Sequence, residues 1–508
     1  MTEDYLRDIV ILGGGAAGWM AAALLARKLA SRSARIRLVE SEDIGIIGVG
    51  EAATPALFKY NLLTGIDEAD FLRKTQGTFK LGIEFCDWGL VGNRHFHAFS
   101  DFGHVVEGVS AHHYWLRLRQ AGEKHPIDDY SFPYWIAKSG RFAPTDPASP
   151  KYLHSYHFDA GLYARYLRDI AESLGVERIE GKMTSIHRDG ESGNIAALCL
   201  ESGVEVSGDF FIDCTGFASE LLGKALQIPF VDWSHWLLCN RAIAMPSTGQ
   251  SPPHPFTRST AHEGGWRWTI PLQHRTGNGM VYSSQHWSDE AALEALKASV
   301  GGEPLAEPRL FSFTSGRREV FWNHNCLALG FAGGFLEPLE STGIQFIVTG
   351  LARLLQYFPG KSCDPVLRNE YNRDAVLEME RARDFIIAHY CLSQRPESLW
   401  QACREMALPD FLRHKLEVWR ACGQVVLGEF ESYAEPSWVA ILLGNGAVPA
   451  HYSMLADLYP LDEIRKGMIG RREEMIRAAN SVPPHQAYID RYCKASGAVF
   501  SHRVPQSV

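Results

Sequence analysis

Apolar positions near the start of the chain change their period twice over a short distance. Asp8 to Leu12 is β-branched and apolar, Ala16 to Leu29 is built from helix formers, and Ala34 to Glu40 returns to a strand pattern. This predicts a βαβ unit. From about Lys182 to Pro246, short strand-like runs such as Asp209 to Asp213 are broken by glycines, which predicts a mixed sheet. Beyond Gly350 the period becomes helical, and Val376, Met379, Ala382 and Ile386 fall on one face of a helix over Asp374 to His389. Two parts are therefore expected, an α/β part over 1–355 that includes the substrate-side sheet and a mainly helical part over 356–508 that covers it. No repeat, low-complexity linker or heptad run intervenes, so the two should pack directly.

Composition narrows the class. With 508 residues, 46% hydrophobic and 21% charged, the chain can bury a large core, and a net charge of -9 with no basic block argues against a nucleic-acid partner. Ten cysteines lie scattered from Cys86 to Cys493 with no C-x-x-C pair, as in a reduced, cytoplasmic protein. The uncharged stretch Ile9 to Ala26 is interrupted by Gly13, Gly14 and Gly15 and lacks a basic leader. It reads as strand, turn and helix, so neither a membrane span nor a targeting segment is expected.

Gly13, Gly15 and Gly18 spell G-x-G-x-x-G at the first strand-to-helix turn, with Ala16 and Ala17 opening the helix. There the absent side chains let a pyrophosphate approach the helix N-terminus. Glu40 closes the second strand about 20 residues on, where a carboxylate accepts hydrogen bonds from a ribose. A glycine turn serving chain reversal alone is the plain alternative. Two later segments, DFFIDCTG at Asp209 to Gly216 and CLALGFAGG at Cys326 to Gly334, also run from strand into a small-residue turn, which favours FAD over NAD. The expected fold is thus an FAD-binding Rossmann-like domain of the flavin monooxygenase type with a mixed, partly antiparallel sheet. Gly330 and Phe331 belong to the last turn, and many flavin hydroxylases carry an aspartate where this chain has Phe331.

Further stretches are hard to explain by folding alone: GVGEAATP at Gly48 to Pro55, with Gly50 and Ala52 as further cofactor contacts, GTFKLGIEF at Gly77 to Phe85, GWRWTIP at Gly265 to Pro271, and FLEPLESTG at Phe335 to Gly343. In this order they resemble the flavin-dependent halogenases, the family that includes the tryptophan halogenases, over most of the first 350 residues. That resemblance implies that reduced FAD reacts with oxygen to a hydroperoxide that oxidises halide, and that hypohalous acid crosses a tunnel to an organic substrate. It implies that Lys80 orients the oxidant by hydrogen bonding or as a haloamine, that Glu340 activates it or takes the ring proton, and that Ser341 supports the site. The backbone N–H groups of Thr342 and Gly343, at an expected helix start, suit halide. Trp266 and Trp268 resemble the pair that walls off the flavin side, and His97 and Phe99 resemble substrate-pocket residues.

Each has a plainer alternative: Lys80 as a surface lysine, Glu340 as its salt-bridge partner, the tryptophans as core aromatics. His95, His97, His104, His112 and His113 are dense, but their spacing matches no standard ligand set, so no metal is expected.

Free-tryptophan halogenases carry adjacent tyrosines and a glutamate for the zwitterion. The corresponding region here, Glu435 to Pro449, has no tandem tyrosine and offers Trp438 as its aromatic platform. Burying an unpaired zwitterion is costly, so indole or another electron-rich aromatic without that tail is expected. Bromide, being easier to oxidise, is favoured over chloride. No second G-x-G-x-x-G is present for a nicotinamide, so a separate NADH-dependent flavin reductase is expected to supply FADH2. The rival reading, an FAD-dependent aromatic monooxygenase, would give hydroxylated product with or without halide.

Overall fold

Strand β1, Asp8–Leu12, is buried over four of its five residues because layers cover both of its faces. It lies in a six-stranded sheet ordered Trp322–Asn323, Cys326–Ala328, Phe210–Asp213, β1, β2 (Arg35–Glu40) and β8 (Glu177–Glu180). The computed structural model describes residues 4–30, 34–43, 50–145, 152–249 and 251–497. Gly48 and Val49 of the GVGEAATP stretch lie outside them. Pairing is parallel from Cys326–Ala328 through to β8, and Leu12 stands opposite Asp213, which stands opposite Ala328. The glycine turns after these three strands therefore leave the sheet side by side at its carboxyl edge, where α/β sheets bind ligands.

Helix α1, Ala16–Leu29, follows β1, so the uncharged run at Ile9 to Ala26 resolves into strand, turn and helix. Among the described residues no helix is long and apolar enough to cross a membrane.

Two further sheets hold GTFKLGIEF, GWRWTIP and the strand Gly50–Ala52 of GVGEAATP. β3 (Gly50–Ala52), β7 (Ser155–Asp159) and β4 (Thr78–Lys80) form a small antiparallel sheet in which Lys80 pairs with Ser155. β5 (Gly82–Cys86) and β6 (Arg94–Ala98) form a hairpin at the edge of an eight-stranded sheet that also contains Thr257–His262 and Gly265–Pro271. Leu81 is the joint between the two: its N–H donates to Pro255 O and its carbonyl accepts from Phe99 N–H. Glycine is needed at the next position, since a Cβ on Gly82 would lie 2.3 Å from His97 O.

From Thr342 onward the regular elements among the described residues are helices, including Thr342–Gln356, Pro365–Cys391, Asp410–Cys422 and Glu435–Gly444. One apolar cluster runs from Leu6 to Cys493, so these helices share their core with the sheets. Along Pro365–Cys391, Met379, Ala382 and Ile386 are buried as the stripe predicts and Val376 is half-buried. The stripe nevertheless understates burial: every residue from Ala382 to Tyr390 is enclosed, because this end of the helix passes through the interior.

Candidate active site

The first glycine turn divides its work among three positions. Gly13 has φ +111° and would place a Cβ 2.4 Å from Cys214 O, and a Cβ on Gly18 would lie 1.9 Å from Gly13 O, so both serve the turn itself. Gly15 is different. A Cβ there would meet nothing within 4 Å, and as N-cap of α1 it leaves the N–H groups of Ala16 and Ala17 without a side-chain acceptor. Open space above free N–H donors at a helix N-terminus fits a pyrophosphate. Glu40 presses Oε2 against Gly14 while Oε1 accepts from Arg178 Nε at 2.6 Å. Gly330, φ +63°, brings the third turn to within 3.1 Å of Ala17 as measured from its missing Cβ, and the Phe331 ring stacks on Phe217. Gly50 and Ala52 lie in β3, opposite Asp159 and His157.

Lys80 ends β4 on the same face as Thr78, while Phe79 points the other way and stacks on Phe142 at 3.9 Å. Its side chain is fully buried, which disposes of the surface-lysine alternative. Nζ donates to Ser341 Oγ at 2.9 Å and to Ala53 O at 3.1 Å and stands 5.3 Å from the centre of the Phe99 ring. Burial pulls its pKa down to about 7, against the opposing charge of Glu340.

Glu340 closes the 3-10 turn Pro338–Glu340 and is itself buried. Its carboxylate receives His97 Nδ1–H at 3.0 Å on both oxygens and His389 Nε2 at 3.0 Å on Oε1. Burial alone would raise its pKa. The charge of His97 and the hydrogen bonds from His389 and His97 outweigh that and hold it near 2. Ser341 follows in a left-handed conformation, φ 62° and ψ 36°, and caps helix Thr342–Gln356 without a side-chain bond to it. Its hydroxyl is thereby free for Lys80, and the N–H groups of Thr342 and Gly343 open the helix. Thr342 Oγ1 is buried without a partner, and a Cβ on Gly343 would lie 3.4 Å from the Phe331 ring. The helix N-terminus thus stands between the third glycine turn and Lys80. Trp266 and Trp268 share one face of Gly265–Pro271, rings 6.2 Å apart, and Trp266 Nε1 donates to Glu337 at 3.0 Å.

Comparison with known proteins places this arrangement. The profile described as tryptophan halogenase matches residues 8–460. The chain belongs to the tryptophan halogenase family. It is 35% identical to the tryptophan 6-halogenase ThaL of Streptomyces albogriseolus over 82% of each chain, and 34% identical to the tryptophan 7-halogenase RebH of Lentzea aerocolonigenes over 81% of each. Among solved structures it is similar to a flavin-dependent halogenase from Xanthomonas campestris, with 43% identity and TM-score 0.95 over 97% of this chain and 100% of the other. It is similar also to BrvH, a flavin-dependent halogenase from Brevundimonas sp. BAL3, with 40% identity and TM-score 0.92 over 96% and 99%. The chain is accordingly a flavin-dependent halogenase with a FAD-binding Rossmann-like fold.

Within this halogenase the expected residues fall into place unevenly. Lys80, Ser341, Glu340, His97 and Phe99 converge from distant parts of the chain, but Lys80 and Glu340 form no ion pair, since each is held by other partners. His97 commits Nδ1 to Glu340 rather than presenting it to a substrate. Trp438 is a correction. Its ring has no exposed surface, Lys415 Nζ sits 3.8 Å over it, its Nε1 donates to Glu431 and Phe385 abuts it edge-on at 4.9 Å. Enclosed in this way, it is packing rather than an open platform. Phe385, which touches both Trp438 and His97, is the ring nearer the site.

Two residues escaped the sequence reading. His389 interrupts the apolar run Phe385 to Ala388, and Glu337 pairs with Trp266 and Tyr390. A polar residue in a stretch this apolar was the available signal. Of the dense histidines, His95 stacks on Phe85 at 5.0 Å, His112 bonds Gly423 O and His113 accepts from Ser453 N–H. Among the described residues the one group spaced for a metal is elsewhere, at His187, Cys199 and Glu205 on the surface.

Proposed function

We propose that this halogenase transfers electrophilic halogen, directed by Lys80, to indole or another electron-rich aromatic without a zwitterionic tail. The chemistry that reduced FAD supplies when bound is the oxidation of halide by oxygen to hypohalous acid. The observation that carries the reading is Lys80: an amine with no solvent contact, fixed by Ser341 Oγ and Ala53 O. In its ammonium form lysine offers three donors and two are used, which leaves one to orient and polarise a hypohalous acid arriving through a passage from the cofactor side. Helix Thr342–Gln356 reaches from Phe331 to Ser341, so a halide on the N–H groups of Thr342 and Gly343 would lie on the route. Glu340, ionised and immobilised by two imidazoles, is the group to take the ring proton. Trp266 and Trp268 wall the flavin side.

The substrate class follows from charge. On the helical side the buried ionic groups near Trp438 and its neighbours pair with one another, Lys415 with Glu431 at 2.9 Å and Arg353 with Glu378 at 2.7 Å, so an amino acid's charges would go unmatched. FADH2 comes from a separate NADH-dependent reductase, and bromide is used more readily than chloride.

The test is mass spectrometry of indole incubated with the protein, FAD, a reductase, NADH, oxygen and bromide. Brominated indole from wild type and none from Lys80→Ala, with FAD binding retained, is expected. Full activity in Lys80→Ala, or faster turnover of free tryptophan than of indole, would overturn the corresponding half of the reading.

A further inference from the structure

Hydrogen-bond bookkeeping at His389 fixes more than its position. Nδ1 lies 2.8 Å from Phe385 O, a carbonyl that can only accept, so Nδ1 carries a hydrogen. Nε2 lies 3.0 Å from Glu340 Oε1. If Glu340 is ionised, Nε2 must also carry a hydrogen and His389 is an imidazolium; if His389 is neutral, Glu340 must be protonated. Either way the pair holds one proton more than a neutral imidazole beside a carboxylate.

We infer that His389, acting through Glu340, is the proton store of the halogenation step, a positioning residue that keeps one proton resident beside the reacting atoms. This rests on the function proposed above. The overall conversion, ArH + HOX to ArX + H2O, needs one proton out and one back. A ring π pair forms the C–X bond while the X–O pair leaves with oxygen; the resident proton makes that oxygen water. The C–H proton of the halogenated ring then passes to Glu340, restoring the pair, so halogen is reduced, carbon is oxidised and no net proton is exchanged.

The surroundings agree. The titratable groups facing the pair are His97 and His95 from β6, Lys80 from β4 and Tyr433. His95 has both ring nitrogens buried without a partner, and burial together with the charges of His389 and His97 depresses its pKa to about 3, so it does not compete for the proton. Phe85 and Trp88 pack against the His389 ring and keep water from it.

A readout that needs no turnover separates this from the Lys80 reading. In protein carrying 15N-histidine, assigned with His389→Gln, both ring nitrogens of His389 should show protonated signals, or a shared-proton signal at Nε2, under the conditions of turnover. A deprotonated Nε2 with no shared proton would overturn the inference even if Lys80→Ala is inactive. Glutamine at 389 can still donate one hydrogen bond to Glu340 but cannot hold an exchangeable proton charge. His389→Gln, matched to wild type in melting temperature and FAD binding, should lose kcat by about 10²-fold with KM for indole little changed. Wild-type kcat in that variant would refute it.

Discussion

Replacing Lys80 by methionine separates the cost of burying the ammonium from the bonds it makes. In the fold its pKa falls from 10.5 to about 7, chiefly through burial. At ~1.4 kcal/mol per pH unit this corresponds to roughly 5 kcal/mol of destabilisation when the lysine is charged in the unfolded chain. Methionine removes that cost but strips Ser341 Oγ and Ala53 O of their donor, at about 1–3 kcal/mol each. The two effects are of similar size, so the sign of the stability change at a single pH decides nothing. The slope does. Between about pH 7 and 10.5 the unfolded wild-type chain holds a proton that the folded one has given up, so wild-type stability gains up to ~1.4 kcal/mol per pH unit over the variant. Urea unfolding of both proteins from pH 7 to 9 should show the difference moving by about 2 kcal/mol in favour of wild type, since groups common to both cancel. A difference that stays flat across that range would refute the burial of an ionisable amine at this position.

Two other perturbations distinguish closely placed groups. Gly13→Ala should lower the melting temperature sharply, because its Cβ meets Cys214 O at 2.4 Å with φ at +111°, whereas Gly15→Ala should melt like wild type and lose FAD affinity, read by flavin fluorescence titration. Equal effects of the two would remove the assignment of Gly15 to the pyrophosphate. Glu337 has its pKa raised to about 7 by burial, against the hydrogen bonds from Tyr390 and Trp266. A carboxyl raised in the fold loses stability as pH climbs from the unfolded value of 4.5 through 7, so Glu337→Gln should stabilise the protein above pH ~7 by up to about 3 kcal/mol and show no such gain near pH ~4.5.

The N-terminal unit was legible almost to the residue: β1 and α1 fall at Asp8–Leu12 and Ala16–Leu29, since local period, glycine placement and helix formers all agree there. The convergence of the turns near Asp213 and Gly330 on the first turn could be expected from their shared strand-into-small-residue form, but its cause is sheet order, which sequence spacing does not contain. The surroundings of Glu340 were not legible. His97 lies 243 positions away and His389 49 positions away, and nothing local marks either as its partner. Trp438 shows the opposite failure, since an aromatic in an apolar helical stretch says nothing about whether Lys415 will close over its face.

Ser341 occupies a backbone region that costs a residue with a Cβ about 1–2 kcal/mol, and from that twist its hydroxyl meets Nζ of Lys80 while the next two amides open the helix. A glycine would relax the kink and strengthen the scaffold, yet would unseat the amine; an ordinary right-handed turn would keep the oxygen but aim it elsewhere. Thermal robustness and halogen delivery therefore pull in opposite directions at one position, and selection for a hardier enzyme would be expected to erode its chemistry there first.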